Sequence, residues 1–570
     1  MGVVNSCPIP SSSIPPVPPT LTIRNLTVTP LHLIEVEHLT RHHHLIPKSD
    51  ALTRIPSRIS RHSTDSRRRV SHDAQHMHYR EADGSVAATP FLPDHDHDAR
   101  AAHPLDVALP PFGEALIPIP PPALHGRHTH LRMTFLDPTT GKRYQGIIPG
   151  SAHRTIVLQP ARAPEDEPQP QGEDAHEFTA IYLPTRGFLA LFSSANLPSW
   201  MGTLPDHLPL SALSIPGTHN SPTYHVALPS VRCQAVSIES QLVNGVRFLD
   251  VRVSCPIFSP PPEGSSASAQ AAVPVPELAL VHAFFPVSLI PNPQKHTLRH
   301  LLSITYHFLD QHPTETILLS LKREGTGLGT DADLAQILVT YYIPPNRSKW
   351  YISPHIPTLG EARGKIVLVR RFNLPPPSSP CPALLEEGGE RGLGIDASVW
   401  PDNVPDGMCG SGLVRIQDWY GVWNTSDIRK KIQYAQEGLE RAAERVFDME
   451  PFLPPNLPLF DGQAESRLAN GDPAVQQRQR PAAPPFYINF LSASTLFNIN
   501  CWPDRIAVKI NPSMIEYLCM AHGAPGKGPG GLSVGDAATG IVVTDWVGYR
   551  GDWDLIRCIV GWNARFGLQK

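Results

Sequence analysis

Several apolar runs in this chain end on a residue that can carry a proton or a charge. "ALSIPG" leads into His219, and "LALVHAF" reaches His282. "RFLDVRV" holds Asp250 and Arg252 two apart, so the two-residue period of a strand puts both on one face. "TILLSLK" ends at Lys322, "KIVLVRRF" carries Arg371, "LVRIQDW" reaches Asp418 with Tyr420 two further on, and "GIVVTDW" carries Asp545. Two imidazoles suit a base and an acid, because an ordinary pKa of about 6.5 lets the ring take either role near neutrality. An aspartate against the second nitrogen of one ring fixes its tautomer and supports its charged form. The planar fork of Arg252 matches phosphate oxygens. Together they fit transfer at a phosphodiester without a protein nucleophile. A substrate hydroxyl attacks, one histidine takes its proton, the other protonates the leaving oxygen, and the arginine steadies the charge on phosphorus.

The elements that must position these residues follow a pattern. From about residue 200, short apolar strands ("YINFLSA" is the remaining one) alternate with the helical stretches "SIESQLVNG", "TLRHLLSITYHFLDQHP", "DADLAQILVTYY", "SDIRKKIQYAQEGLERAAERVFDM" and "PSMIEYLCMAH". Eight strands separated by helices predict an α/β fold, a distorted (β/α)8 TIM-type barrel over residues 200–570, whose strand ends share one mouth. A doubly wound open sheet is the competing architecture. Gly217 is read as the turn that lets His219 leave the strand. Low-complexity stretches at about 256–277, 374–393, 451–485 and 522–539 read as surface loops. Ahead of the barrel, residues 20–195 alternate apolar and polar, which predicts a small all-β, sandwich-like domain. In it "HLRMTFL" and "RYQGIIP" form a hairpin across "DPTTGK". Residues about 50–103 read as a disordered insert, and 1–19 as a disordered tail.

Composition narrows the partners. The 570 residues carry 48 basic and 52 acidic side chains, a net charge of −4 that gives no pull toward nucleic acid. Eight cysteines without CxxC spacing argue against a zinc site or a disulfide framework. Proline, at 64 residues, is about twice its average usage and clusters in the loops. No apolar run is long enough to span a membrane as a helix. The N-terminal "MGVVNSC" lacks the pattern of a secretory signal and fits N-myristoylation, with Gly2 as acceptor and Cys7 open to palmitoylation. Two acyl chains give stable anchoring, so a cytoplasmic, peripherally membrane-bound monomer is expected, with non-conventional secretion as the alternative. The His-rich "PDHDHDAR" and His42, His43 and His44 read as solvated segments.

"LSIPGTHNSPTY", "NGVRFLDVRVS", "LALVHAF", "ETILLSLKRE", "EARGKIVLVRRF", "VWPDN", "VRIQDWY" and "YINFLSAS", in this order from about residue 205 to 565, resemble bacterial-type phosphatidylinositol-specific phospholipase C, the X-domain phosphodiesterases. With its Pro-rich insertions the chain looks like a fungal elaboration of that family. The resemblance implies that His219 is the base for the inositol 2-hydroxyl, Asp545 the carboxylate behind it, His282 the acid for the diacylglycerol oxygen and Arg252 the phosphate ligand. It implies that Asp250 orients its neighbours and that Lys322, Arg371, Asp418 and Tyr420 line the inositol pocket, with Trp400 at its rim. An inositol phospholipid at a membrane surface is the implied substrate. Cyclic inositol 1,2-phosphate and diacylglycerol are the implied products, with no cofactor and no metal. Two positions depart from the bacterial pattern. Asn220 stands where an aspartate supports the acid, and Ala283 where a glycine follows it. Calcium-dependent relatives carry asparagine at that first position. They also place carboxylates where this chain has Arg252 and Lys322, and two cations oppose a divalent ion there. Two alternatives remain: an inositide-binding pseudoenzyme, and a metal-dependent glycerophosphodiesterase-like barrel, which needs acidic ligands near the first histidine. Phe284 and Phe285, following His282, could enter lipid.

Overall fold

The computed structural model describes residues 20–41, 97–122, 129–149, 155–161, 178–193, 196–258, 275–376, 386–387, 390–445, 483–532, 535 and 537–568. Gly2, Cys7, His42, His43, His44 and most of the expected insert and of the 451–485 loop lie outside these residues.

Nine strands between Leu21 and Ser193 form one hydrogen-bonded sheet around a core that includes Leu33, Val36, Phe135, Tyr144 and Phe178. The predicted hairpin is present, Thr129–Leu136 against Arg143–Ile148, with Asp137 accepting from the Thr139 amide and the Thr140 hydroxyl in the turn. Not every pair is antiparallel, because Leu21–Leu26 runs parallel to Phe188–Ser193. The expected insert also ends early: His97–Leu109 is a strand paired with Leu31–Arg41.

Eight parallel strands build the second sheet: β1 Ile215–Thr218, β2 Phe248–Ser254, β3 Ile317–Arg323, β4 Ile366–Arg371, β5 Ile395–Asp396, β6 Val414–Gln417, β7 Phe486–Phe490 and β8 Ile541–Thr544, with the short Trp350–Tyr351 as a further parallel strand on β4. From β1 to β5 and from β6 to β8 each strand pairs with the next in sequence, and β8 pairs with β1, so the sheet curls back on itself. Among the described residues β5 and β6 share no ladder. The result is a mixed, barrel-like sheet, open on one side. An apolar cluster joins its strands to the helices, built on Phe248, Val251, Leu319, Leu321, Val367, Val369, Ile488 and Val543 together with Leu298, Leu301 and Leu334.

Two strand assignments change. "LALVHAF" is not one of the parallel strands: Ala279–His282 runs antiparallel to the end of β2 and folds back on Phe285–Pro286. Its place in the count is taken by β5, two residues too short to register as a periodic run. Gly217 is not a turn either. It sits inside β1, where an added Cβ would lie 3.0 Å from Phe248, so its role is close approach of strands. The turn falls at Asn220, with φ of 42°, a left-handed conformation that asparagine tolerates.

Five helices fall on the stretches that periodicity marked, α1 Ile238–Val243, α2 Leu298–Gln311, α3 Asp331–Ile337, α4 Asp427–Glu444 and α5 Pro503–Met520, and α6 Asp554–Gly561 is one that the sequence reading did not name. Ser237 and Thr297 cap α1 and α2, and Thr330 with Asp333 forms a capping box on α3. α5 begins nine residues before the Pro512 that reads as its start. Pro512 lies inside it, and the residue four back, Val508, is 67% exposed, so water can take the freed carbonyl. The 522–539 segment is no simple surface loop, for His522 and Ala537 are fully buried.

The two sheets share a core. Leu26, Ile181, Phe188 and Phe192 pack with Leu439, Ile506, Ile510, Ile559 and Trp562. The buried Arg24 donates to the carbonyls of Cys519 and His522, satisfying the C-terminal end of α5. The first sheet therefore braces α5 and α6, the helices beside β8 and its Asp545.

Candidate active site

His219 leaves the end of β1 with its amide bonded to the Thr544 carbonyl of β8 at 2.9 Å. That pairing puts its ring beside Asp545, the residue after β8, and Nδ1 lies 3.0 Å from Asp545 Oδ1. Gln234 locks the pair, with Nε2 donating to the carbonyls of His219 and Thr544. Burial disfavours the imidazolium, but Asp545 and the Cys233 sulfur outweigh it and raise the His219 pKa to about 10. Two N–H donors face its other nitrogen, Arg252 Nη2 at 3.2 Å and Asn220 Nδ2 at 3.0 Å. A charged ring would turn its own Nε2–H against both. Arg252 can only donate, so Nε2 accepts and the ring proton sits on Nδ1 toward Asp545.

Asp250 and Arg252 project from β2 on one face, as their spacing requires. Asp250 is fully buried and accepts from the Asn220 amide at 3.2 Å, from Arg252 at 3.4 Å and from Arg371 Nη1 at 3.2 Å. Burial works against its charge, but Arg252 and Arg371 hold the carboxyl well below the usual range. Arg252 also forks onto Glu324, with Nη1 at 3.0 and 3.3 Å from its two oxygens. These carboxylates overcome burial and raise the guanidinium's affinity for its proton.

Glu324, one residue past β3, accepts from Lys322 at 2.7 Å and from the Ala283 amide at 3.0 Å. Arg252 and Lys322 bring its pKa to about 2 against the opposing effect of burial. Sequence reasoning missed it, although its two-residue offset from Lys322 puts both on one face. Arg252 and Lys322 thus sit among the oxygens of Asp250 and Glu324, where a divalent ion would need room.

His282 sits at the tip of the antiparallel hairpin. Its Nδ1 is 2.7 Å from the Val231 carbonyl, and its ring stands edge-on to His219 with centroids 5.8 Å apart. Burial first, then Arg252 and His219, push its pKa down to about 3, so it is neutral in the free protein. Ala283 beside it has φ of 52°, the left-handed region that favours glycine. Cys233, fully buried, places Sγ 3.7 Å from His282 Nδ1. It lies in the loop between β1 and α1, and no strand-end rule could have found it.

The remaining site residues form one wall. The Arg371 guanidinium stacks 3.6 Å from the Trp400 ring centre, and Trp400 Nε1 donates to Asp418 at 3.0 Å. Tyr420 is half-exposed, its hydroxyl on Asp402. Phe490 at the end of β7 meets both His219 and Trp400 edge-on. Beneath lies Lys431 of α4, fully buried, donating to Gln417 at 3.1 Å. Burial lowers it to about 7, against the pull of Asp418 and Asp545. All the expected residues among those described converge on one end of the second sheet.

Two imidazoles and a carboxylate-held guanidinium thus lie together at the mouth of the barrel-like sheet. In sequence the chain is similar to bacterial proteins named 1-phosphatidylinositol phosphodiesterase. It is 29% identical over 189 residues to the 1-phosphatidylinositol phosphodiesterase of Listeria monocytogenes, covering 31% of this chain and 50% of that protein. It is 27% identical over 244 residues to the same-named protein of Staphylococcus aureus, covering 40% and 65%. The chain thus spans half to just under two thirds of the curated relatives it matches. A crystal structure of the Staphylococcus aureus phospholipase C superposes with a TM-score of 0.44 at 20% identity, over 64% of this chain and 97% of that one. No protein-family model matches.

Proposed function

We propose that the chain is an inositol-phospholipid phosphodiesterase built on a distorted (β/α)8 barrel. It cleaves by attack of the inositol 2-hydroxyl on the adjacent phosphorus, releasing diacylglycerol and a cyclic 1,2-phosphate. The observation that carries this reading is the His219 ring held between Asp545 and Arg252, with the His282 ring 5.8 Å away.

His219 Nε2 takes the hydroxyl proton as the new O–P bond forms, and Asp545 supports the imidazolium that results. Arg252 Nη2, already beside Nε2, meets the phosphate oxygens and steadies the charge. The P–O bond to diacylglycerol breaks, and His282 supplies the proton to the leaving oxygen. The phosphate anion brings the opposite charge that His282 lacks in the free site and raises its proton affinity. Arg371, Trp400, Asp418 and Tyr420 offer a polar, aromatic wall to the inositol ring. The reading needs no metal, because Arg252 and Lys322 supply the positive charge between Asp250 and Glu324.

The rim suits a membrane. Phe284 is 76% exposed, and Phe285, Leu289 and Ile290 are exposed beside it. Leu289 is hydrogen-bonded to the segment carrying exposed Val226 and Leu228. Trp423, Leu496, Phe497 and Ile499 are exposed on the stretches after β6 and β7, at the same end. Acylation at Gly2 and Cys7 would add to this attachment from the cytoplasmic side.

Phosphorus NMR of the purified protein with phosphatidylinositol micelles in EDTA tests the proposal. The expected result is a cyclic phosphate signal that His219→Ala abolishes. Tight vesicle binding without turnover would favour the inositide-binding reading instead.

A further inference from the structure

We propose that His219, Cys233 and His282 form a binding site for a zinc-class divalent ion, and that this ion shuts the site off. Each offers one ligand atom, and the three atoms lie within 4.8 Å of one another, the one such group found among the described residues. Zn–S and Zn–N bonds of about 2.3 and 2.05 Å at a tetrahedral angle place sulfur and nitrogen about 3.6 Å apart. Cys233 Sγ and His282 Nδ1 already stand 3.7 Å apart.

The donor chemistry selects the ion. One thiol and two imidazoles with no carboxylate oxygen suit zinc, cobalt or copper, and not the hard ions calcium and magnesium. Three protein ligands leave a fourth tetrahedral position for water or an anion. Binding displaces the Cys233 thiol proton and moves the His282 proton off Nδ1, giving up its bond to the Val231 carbonyl. Arg252 beside His219 opposes the ion, while Asp545, Asp250 and Glu324 around it favour it. Sequence spacing excluded a cysteine-based zinc site because these ligands come from three separate segments.

Inhibition rests on the function proposed above, for an ion held by both imidazoles would stop them from exchanging protons with the substrate. Binding itself does not. Cobalt titration of the full chain should give one ion per chain and a thiolate-to-cobalt absorption band. Zinc should displace the band and Cys233→Ser abolish it. Phosphatidylinositol cleavage should fall with one zinc per chain and return with EDTA. With rates normalised to each protein's zinc-free value, Cys233→Ser should be at least about tenfold less sensitive. Cys233→Ala, checked for fold by circular dichroism, serves as the second variant. No cobalt–thiolate band in the wild-type chain, or equal zinc sensitivity in wild type and both variants, overturns the site. A band without cleavage of any inositol lipid keeps the metal site and refutes the proposed function; cleavage without a band does the reverse.

Discussion

Replacing Asp545 with asparagine removes one charge and almost no volume, which makes it the sharpest probe of the base. The Asp545 side chain is 4% exposed and its Oδ1 lies 3.0 Å from His219 Nδ1, so the contact is a dry, charge-assisted hydrogen bond. Such bonds contribute about 1.5–3 kcal/mol, equivalent to roughly tenfold to hundredfold in rate. Asparagine has a second effect. If its amide group faces Nδ1, the ring must carry its proton on Nε2, the nitrogen that should accept the substrate proton. A wrong tautomer costs about 10⁴ in the serine-protease triad. The expected fall in kcat therefore lies between about 10² and 10⁴, with KM nearly unchanged. The loss of the carboxylate also lowers the His219 pKa from its raised value, which should move the acidic limb of the pH–rate profile downward, because a general base works deprotonated. Initial rates of cyclic phosphate formation from pH 5 to 10 measure both. A loss below fivefold with an unmoved profile would refute the reasoning. So would a full further penalty from Asp545→Asn added to His219→Ala, because groups acting as one unit do not add.

Three other outcomes follow from the same geometry. Arg252→Lys keeps the charge but cannot span His219, Asp250 and Glu324, so thermal melts should show a loss of about 1–3 kcal/mol and assays a fall of roughly 10²–10³ in kcat. Stability should decline as pH falls from 6.5 toward 3. His282 and His522 both have depressed folded-state pKa values of about 3, so below 6.5 the unfolded chain binds protons that the folded chain refuses, and Glu324 adds to the loss below about 4.5; denaturant midpoints that stay flat over this range would contradict the assignment. Phe284→Ser and Ile290→Ser should each weaken binding to phosphatidylinositol vesicles by roughly tenfold or more in a sedimentation assay, while cleavage of a monomeric short-chain substrate stays within about twofold.

Much of the site was legible because its residues sit where local rules hold. His219, Arg252, Lys322, Arg371, Asp418 and Asp545 close apolar runs, and a strand exposes its end whatever surrounds it. The spacing of Asp250 and Arg252 fixes a shared face in any strand, and the five helices announced themselves by period. Those features depend only on the chain near each residue. Tertiary structure alone decided the rest. Whether Ala279–His282 runs parallel or antiparallel depends on its partner at the end of β2, so its own sequence could not say. The two-residue β5 exists only because β4 offers it a ladder. Pro512 continues a helix because α5 is held by packing on both sides and by Arg24 at its end. Above all, the charge state of the site is a property of the assembled cluster. Asp250, Arg252, Glu324 and the two histidines come from distant segments, and only their assembly raises the proton affinity of one imidazole and lowers that of the other.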